Sequence, residues 1–151
     1  MVKALATDLC NNILQRGRRD KIDISPMKLQ KLMYYVCRDY AQKTGEAPIS
    51  EDFEVWQYGP VLPSVYGEFK SFGAKPICCY AKDAGGHSYK VSENDNPTLS
   101  SVIDVVWAKY KQLSGVELSR KTHQAGSGWY RAYMAGREKI SLEDILNDRT
   151  D

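Results

Sequence analysis

The sequence lacks long apolar runs and has little net charge. No stretch approaches the roughly 20 consecutive apolar residues that a transmembrane helix needs. The 21 lysine and arginine residues nearly balance the 19 aspartate and glutamate residues, which leaves a formal net charge of +2. A charge this small does not create a strong field for nucleic acid or acidic lipid. We therefore expect no membrane partner and regard nucleic acid as a disfavoured one.

Metal-ligating and redox side chains are also scarce. The cysteines are Cys10, Cys37, Cys78 and Cys79, and the histidines are His87 and His123. They form no C-x-x-C pair and no ligand-like spacing, so we predict neither a metal site nor a cofactor. Cys10 and Cys37 lie among apolar residues at helical spacing, which predicts buried, reduced thiols.

The overall composition is that of an ordinary globular domain. Hydrophobic residues make up 42% and charged residues 26% of the 151 residues, and a chain of this length has room for one substantial core. Asp8 and Asn11 interrupt the first residues before a long apolar run develops, a pattern unlike a signal peptide. We expect residues 1–151 to form a single cytoplasmic domain.

Helical periodicity dominates the chain. A serine–proline pair at 25–26 predicts the start of a long helix that ends near Gly45, and an asparagine–proline pair at 96–97 predicts a second long helix that Gly115 ends. A first helix should place Leu5 on its apolar face and stop at Gly17. Shorter helices are expected within residues 63–73, 116–124, 129–134 and 141–146.

Strand signals are weaker. The segments at 77–80 and 87–91 flank a turn at residues 83–86 that contains Gly85 and Gly86, and this pattern predicts a small β-hairpin. A short extended piece is expected near Phe53 and Val55. Together these patterns predict a mainly α fold with a minor β-hairpin, a compact single-domain helical bundle of about five to seven helices.

Large aromatic side chains gather around the Gly59-Pro60 pair. Trp56, Tyr58 and Tyr66 lie close to it in sequence, and the prolines and glycine of this segment exclude a long helix and predict a rigid, irregular turn. Loops that carry large aromatic side chains are either pinned into a core or presented to a partner. The sequence leaves both interpretations open.

Three segments, in this order, resemble the Panacea-domain family. They are K-L-Q-K-L-M-Y-Y at residues 28–35, F-E-V-W-Q-Y-G-P-V-L-P-S-V-Y at residues 53–66, and L-S-R-K-T-H at residues 118–123, followed by Trp129. The family is also described as phage-associated GepA-like or SocA-like proteins. One departure is Gly128, because the family usually places proline directly before the tryptophan.

The resemblance implies a mainly helical antitoxin that binds and neutralises a cognate small toxin. Some relatives are thought to deliver the toxin to a protease instead. The candidate partner-binding residues are Trp56, Tyr58, Gly59, Pro60, Tyr66, Thr122, His123 and Trp129, since tryptophan and tyrosine combine a large contact area with a polar tip. We expect His123 to cap or bridge elements beside the 56–66 turn. The oligomeric state is left open.

A DNA-binding transcriptional regulator is the alternative function. The helix that begins at residues 25–26 should carry Lys28, Lys31 and Arg38 on its polar side, and such a helix could belong to a helix-turn-helix motif. Basic residues on an amphipathic helix are, however, more often a solvated face.

An enzyme is the third function considered. Cys78 or Cys79 could serve as a nucleophile with His123 or His87 as the base, because residues far apart in sequence can meet in a fold. No orienting acid or oxyanion motif identifies such a set. We therefore predict that the protein is not an enzyme.

Overall fold

The computed structural model describes residues 2–151 and shows, over that range, seven α-helices and one two-stranded sheet. The elements are α1 (Ala6–Asp20), α2 (Pro26–Thr44), β1 (Glu54–Trp56), β2 (Gly59–Val61), α3 (Pro63–Phe69), α4 (Pro97–Tyr110), α5 (Gly115–Thr122), α6 (Gly128–Met134) and α7 (Leu142–Leu146), with a 3₁₀ turn at Lys70–Phe72. This architecture confirms the predicted mainly α fold. None of the helices within residues 2–151 has both the length and the apolar character to cross a membrane.

The central element is α2, which contacts α1, α3, α4, α5, α7 and β2. It begins as predicted, because the Ser25 hydroxyl accepts a hydrogen bond from the Lys28 amide and Pro26 occupies the first turn. It ends at Gly45, whose φ of 80° is a left-handed conformation that glycine adopts without strain. Local capping chemistry therefore determines both ends of this helix.

The prediction that α2 has a polar side exposed to solvent is wrong. Lys28, Lys31 and Arg38 are only 6%, 2% and 5% exposed, because other elements cover the helix on every side. Each cation donates to an oxygen nearby: Lys28 to the carbonyl of Lys111, Lys31 to the carbonyl of Pro60, and Arg38 to Asp39 and the carbonyl of Thr150. Three buried cations do not form the exposed basic surface that a DNA-recognition helix requires.

The prediction that Gly17 stops α1 is wrong. Gly17 is buried inside the helix, and a Cβ there would lie 2.7 Å from Cδ1 of Ile24. The missing side chain thus lets the next segment pack directly against α1. The helix ends instead at Lys21, which has a φ of 57°. The prediction that Leu5 lies on the apolar face of this helix is also wrong, because Leu5 precedes the helix and is 63% exposed.

Gly115 begins a helix instead of ending one. The preceding helix α4 already ends at Tyr110, and Ser114 forms a capping box with Glu117 at the start of α5. A Cβ on Gly115 would lie 3.2 Å from the backbone nitrogen of Lys28. The glycine therefore permits the close approach of α5 to α2.

The hairpin predicted within residues 77–91 is wrong, since this segment forms a turn but no strand ladder. Two buried asparagines of α1 take the place of a partner strand. The Asn11 side chain bonds to the amide and carbonyl of Ala81, and the Asn12 side chain bonds to the amide and carbonyl of Val91. Side-chain amides that offer both a donor and an acceptor can satisfy an extended backbone in this way.

Candidate partner-binding surface

The β-hairpin of the structure lies at the aromatic segment, where an irregular turn was predicted. Antiparallel strands β1 and β2 pair Val55 with Pro60 and Trp56 with Gly59. Pro60 is tolerated because its partner Val55 donates its amide to the Glu138 carbonyl instead of to β2, so the Val55–Pro60 pair requires no amide donor from proline. The expectation of irregular structure is therefore corrected to a short regular hairpin that holds the aromatic side chains.

Side chains of α2 dock this hairpin onto the core. The Gln30 amide donates to the Leu62 carbonyl at 3.1 Å and accepts from the Leu62 amide at 2.8 Å. The adjacent Lys31 Nζ donates to the Pro60 carbonyl at 3.0 Å. Two neighbouring residues of α2 thus form hydrogen bonds with the backbone of Pro60 in β2 and of Leu62, which lies between β2 and α3.

The hairpin also packs closely against α5. Gly59 has a φ of 115°, and a Cβ there would lie 2.8 Å from the Thr122 hydroxyl oxygen. The Ser119 hydroxyl donates to the Tyr58 carbonyl, and the Thr122 hydroxyl donates to the Ser119 carbonyl at 3.0 Å. Gly59, Pro60 and Thr122 are buried in this contact, so their side of the hairpin faces the protein interior.

Trp129 of α6 joins the hairpin from a third direction. It is 7% exposed, and its Nε1 donates to the Trp56 carbonyl at 2.8 Å. The His123 ring lies edge-on to Trp129 at a centroid distance of 5.4 Å, and its Nδ1 contacts the Ser119 carbonyl. Because a carbonyl can only accept, Nδ1 carries the proton. His123 therefore contacts Trp129, which in turn bonds to the hairpin. Among the described residues, His123 forms no hydrogen bond to residues 56–66.

An apolar groove of about 430 Å³ opens between α2, the hairpin and α3. Its walls include Met27, Trp56, Tyr58, Val61, Tyr66 and Phe69. The Trp56 and Tyr66 rings meet edge-to-face with centroids 4.8 Å apart. Tyr58 and Tyr66 are 58% and 43% exposed, and Trp56 is half-buried. Three of the eight predicted residues thus present aromatic surface to solvent.

Lys31 also lines this groove, although its side chain is almost entirely buried. Over residues 2–151 its amine has one hydrogen-bond partner, the Pro60 carbonyl, and no ion pair with a carboxylate. Burial lowers the pKa of Lys31 to about 7. Lys31 lies inside the 28–35 motif, but helical periodicity places it on the polar side of the helix, so the sequence pattern does not identify it as a member of the site.

The two predicted groups of residues therefore have different positions. Trp56, Tyr58 and Tyr66 line the groove. Gly59 and Pro60 lie on the interior side of the hairpin, where Thr122 and Trp129 contact it and His123 packs against Trp129. The structure brings all eight into one region through α2, α5 and α6. Whether any of them contacts a partner remains a prediction.

The cysteines and histidines do not assemble a catalytic set in the part of the chain that is described. Cys10 and Cys37 are buried as predicted, and burial raises the pKa of each thiol. Within residues 2–151, no thiol hydrogen-bonds to a histidine ring, and no three metal-ligating side chains converge. The Nδ1 atom of the exposed His87 ring lies 3.7 Å from Oδ1 of Asp83. This pair is a surface contact.

Comparisons with known proteins identify the family. A family model described as "Antitoxin SocA-like, Panacea domain" matches residues 29–130. The chain is also 30% identical over 127 residues to Antitoxin SocA of Caulobacter vibrioides (strain NA1000 / CB15N), an alignment that covers 82% of this chain and 68% of that relative. No solved structure matches the chain. The matched segment contains the second and third motifs, all of the first except Lys28, and the whole groove-forming hairpin, and this chain belongs to the family of SocA-like antitoxins with a Panacea domain.

Proposed function

We propose that this protein is an antitoxin that neutralises a cognate small toxin by binding it directly at the aromatic groove. The observation that carries the proposal is the exposure of Tyr58 and Tyr66 beside Trp56, in a chain that belongs to an antitoxin family. Exposed clusters of large aromatic side chains are unfavourable in water and are enriched at the centres of protein interfaces. In this role residues 1–151 act as one cytoplasmic domain.

The residues behind the hairpin support such a role by making the surface rigid. Gly59, Thr122 and Trp129 fix the hairpin backbone through close packing and hydrogen bonds. A surface that is ordered before binding loses little conformational entropy when the partner docks. We therefore assign these residues a positioning role and assign contact with the toxin to Trp56 and the two exposed tyrosines.

The first test uses the product of the gene next to this one. Expressed alone, that product should arrest growth, and co-expression should restore growth and yield a complex that co-purifies. A harmless neighbour that does not bind this protein would contradict the proposal. The toxin concentration during co-expression separates two modes of action, since direct neutralisation leaves it unchanged and delivery to a protease lowers it.

Matched tyrosine variants locate the contact surface. Replacing both Tyr58 and Tyr66 by alanine should weaken toxin binding by about tenfold or more, with little change in the melting temperature, because both side chains are exposed. Tyr89→Ala is the control, since Tyr89 is 54% exposed but does not line the groove. An equal loss of binding in the control would place the interface elsewhere.

A further inference from the structure

The Trp56 side chain is held from two sides at the aromatic groove. Its indole Nε1 donates a hydrogen bond to Oε1 of Glu54 at 2.9 Å, and its ring meets the Tyr66 ring edge-to-face with centroids 4.8 Å apart. Glu54 and Trp56 are two positions apart on β1, so their side chains lie on the same face of the strand. An indole has a single polar atom, and in Trp56 the Glu54 carboxylate already binds it.

The Glu54 carboxylate belongs to a strand that is paired on both edges. Glu54 pairs with Val61 of β2 on one side and forms an antiparallel bridge with Lys139 on the other. Two backbone hydrogen bonds of 2.8 and 2.9 Å join residues 53–55 to residues 138–140 at this bridge. An acceptor on so constrained a backbone can hold its donor in one orientation.

The contact with the indole is not part of a general pairing of surface charges. Lys139 lies across the bridge from Glu54, and opposite charges at such positions commonly pair in sheets. In the part of the chain that is described, however, Glu54 forms no ion pair, and its side chain bonds to Trp56 instead. The indole N–H is therefore the group that fixes the position of this carboxylate.

We propose that Glu54 is a positioning residue of the partner-binding surface, which holds the Trp56 indole in one orientation so that the ring meets the toxin through its carbon atoms. This inference rests on the proposed antitoxin function and specifies how that surface presents one of its contact residues. Because Nε1 is already bonded, the indole gives the toxin no hydrogen-bond donor. A ring that is ordered before binding also loses less conformational freedom when the partner docks.

The Trp56 indole proton tests the positioning without a toxin. Glu54→Leu removes the acceptor, whereas Glu54→Gln keeps a carbonyl acceptor and removes only the charge. We expect the Trp56 indole N–H to exchange with water about tenfold faster in Glu54→Leu and to stay protected in Glu54→Gln. Equal exchange rates in Glu54→Leu and in the unaltered protein, measured by NMR, would overturn the proposal.

The Trp107 indole is an internal reference for this measurement. Its Nε1 donates to Asp20 at 2.7 Å, remote from the hairpin, so its exchange rate should be the same in all variants. An equal acceleration of both indole protons would mean that Glu54→Leu lowers the stability of the whole fold, and it would contradict a specific role at Trp56. Asp52→Asn controls for the loss of a negative charge, because Asp52 is exposed and does not line the groove.

Toxin affinity tests the role of this contact in recognition. With the neighbouring gene product as the ligand, Glu54→Leu should weaken binding by about three- to tenfold. Glu54→Gln and Asp52→Asn should bind like the unaltered protein. An unchanged affinity in Glu54→Leu would overturn the role in binding, and an equal loss in Glu54→Gln would show that the charge of Glu54 matters instead of its hydrogen bond to the indole.

A double-mutant cycle separates positioning through Trp56 from direct contact between Glu54 and the toxin. Trp56→Phe keeps an aromatic ring and removes the N–H donor, so Glu54→Leu should cause no further loss of affinity in the Trp56→Phe background. The same loss in both backgrounds would show that Glu54 acts on the toxin directly, and the proposal would fail. The indole exchange needs no toxin and decides the positioning whatever the affinity of Trp56→Phe.

The two measurements also separate this inference from the proposed function. If Glu54→Leu exposes the indole proton to exchange but the neighbouring product does not bind the unaltered protein, the antitoxin function fails and the orientation of Trp56 by Glu54 stands. If the product binds and Glu54→Leu changes neither indole exchange nor affinity, the antitoxin function stands and the positioning role fails.

Discussion

The indole Nε1 of Trp129 donates a hydrogen bond across 2.8 Å to the backbone carbonyl of Trp56. This bond joins α6 to the outer end of β1, and the buried Trp129 ring also stacks on Tyr133 at a centroid distance of 4.9 Å. Because the acceptor is a main-chain oxygen, the position of the hairpin backbone depends directly on this side chain. The aromatic wall of the groove is therefore tied to a helix that lies more than sixty residues further along the chain.

Trp129→Phe removes the donor but keeps an aromatic ring. We expect the free energy of unfolding to fall by about 1–3 kcal/mol, since the Trp56 carbonyl loses a partner in a partly buried place. Urea unfolding measures the change. Tyr133→Phe is the control, because its ring can still stack and its side chain is 56% exposed. Equal effects of the two variants would show that the hydrogen bond contributes nothing measurable.

Gly59→Ala should destabilise the docked hairpin through two effects. The φ of 115° strains any residue with a side chain, and the new Cβ would lie 2.8 Å from the Thr122 hydroxyl. Gly45→Ala is a matched control, because it has a φ of 80° but no atom within 4 Å of the new Cβ. We expect a loss of about 1 kcal/mol for Gly45→Ala and at least twice that for Gly59→Ala in thermal unfolding. Similar losses would mean that the clash with Thr122 relaxes at no cost.

Gly128 directly precedes Trp129, and the structure shows a specific use for glycine there. Its amide donates to the Asp148 carboxylate at 3.0 Å, and the Tyr34 hydroxyl donates to the same oxygen at 2.6 Å. A Cβ on Gly128 would lie 2.4 Å from that hydroxyl. Proline would remove the amide donor as well.

Gly128→Ala should therefore lower the free energy of unfolding by about 2–4 kcal/mol, because it displaces the Tyr34 hydroxyl from a buried hydrogen bond to Asp148. Gly67→Ala is the control, and its expected effect on stability has the opposite sign. Gly67 is exposed on α3 with nothing within 4 Å of a new Cβ, and alanine there should stabilise by about 0.5–1 kcal/mol. Denaturant titration of both variants checks the prediction, which an unchanged midpoint for Gly128→Ala would contradict.

The buried Lys31 amine should give the protein a distinctive dependence on alkaline pH. Its folded pKa of about 7 lies below the ordinary value of 10.5, so between these values the unfolded chain holds a proton that the folded chain has lost. Stability must then rise with pH across this window, by up to about 1.4 kcal/mol per pH unit. Relative to Lys31→Met, the unaltered protein should be least stable at pH 6 and should gain on the variant up to pH 9.

Unfolding of both proteins in urea at pH 6, 7, 8 and 9 tests this dependence. Lys70→Met controls for the loss of one positive charge from the same groove, since its side chain is exposed. A constant stability difference between Lys31→Met and the unaltered protein across this pH range would show that the amine does not change its protonation on folding.

The helix starts are the part of the fold that the sequence predicts best. Ser25 and Asn96 each cap the helix that follows, and a proline occupies its first turn. These signals act between residues that are three or four positions apart, so they operate in the same way whatever surrounds them. The continuous apolar stripes of α2 and α4 are similarly local, and both lie in the core.

Glycine positions predict helix ends less reliably, for a physical reason. Gly45 ends a helix as predicted, but Gly17 lies inside one and Gly115 starts one. A glycine can relieve backbone strain or can make room for a neighbour, and only the first role has a local signal. At Gly17 and Gly115 the neighbour comes from another element, Ile24 in one case and α2 in the other.

By itself, the sequence determined the helical class, the starts of the long helices and the motifs that indicate an antitoxin family. It also located the aromatic segment, but it left open which rings are buried. Tertiary structure decided that Tyr58 and Tyr66 face solvent, that Trp129 lies behind the hairpin, and that Lys31 is buried beside the groove. Caps and periodicity depend on neighbours within one or two turns. Burial depends on packing between α2, the hairpin, α5 and α6, which no local pattern contains.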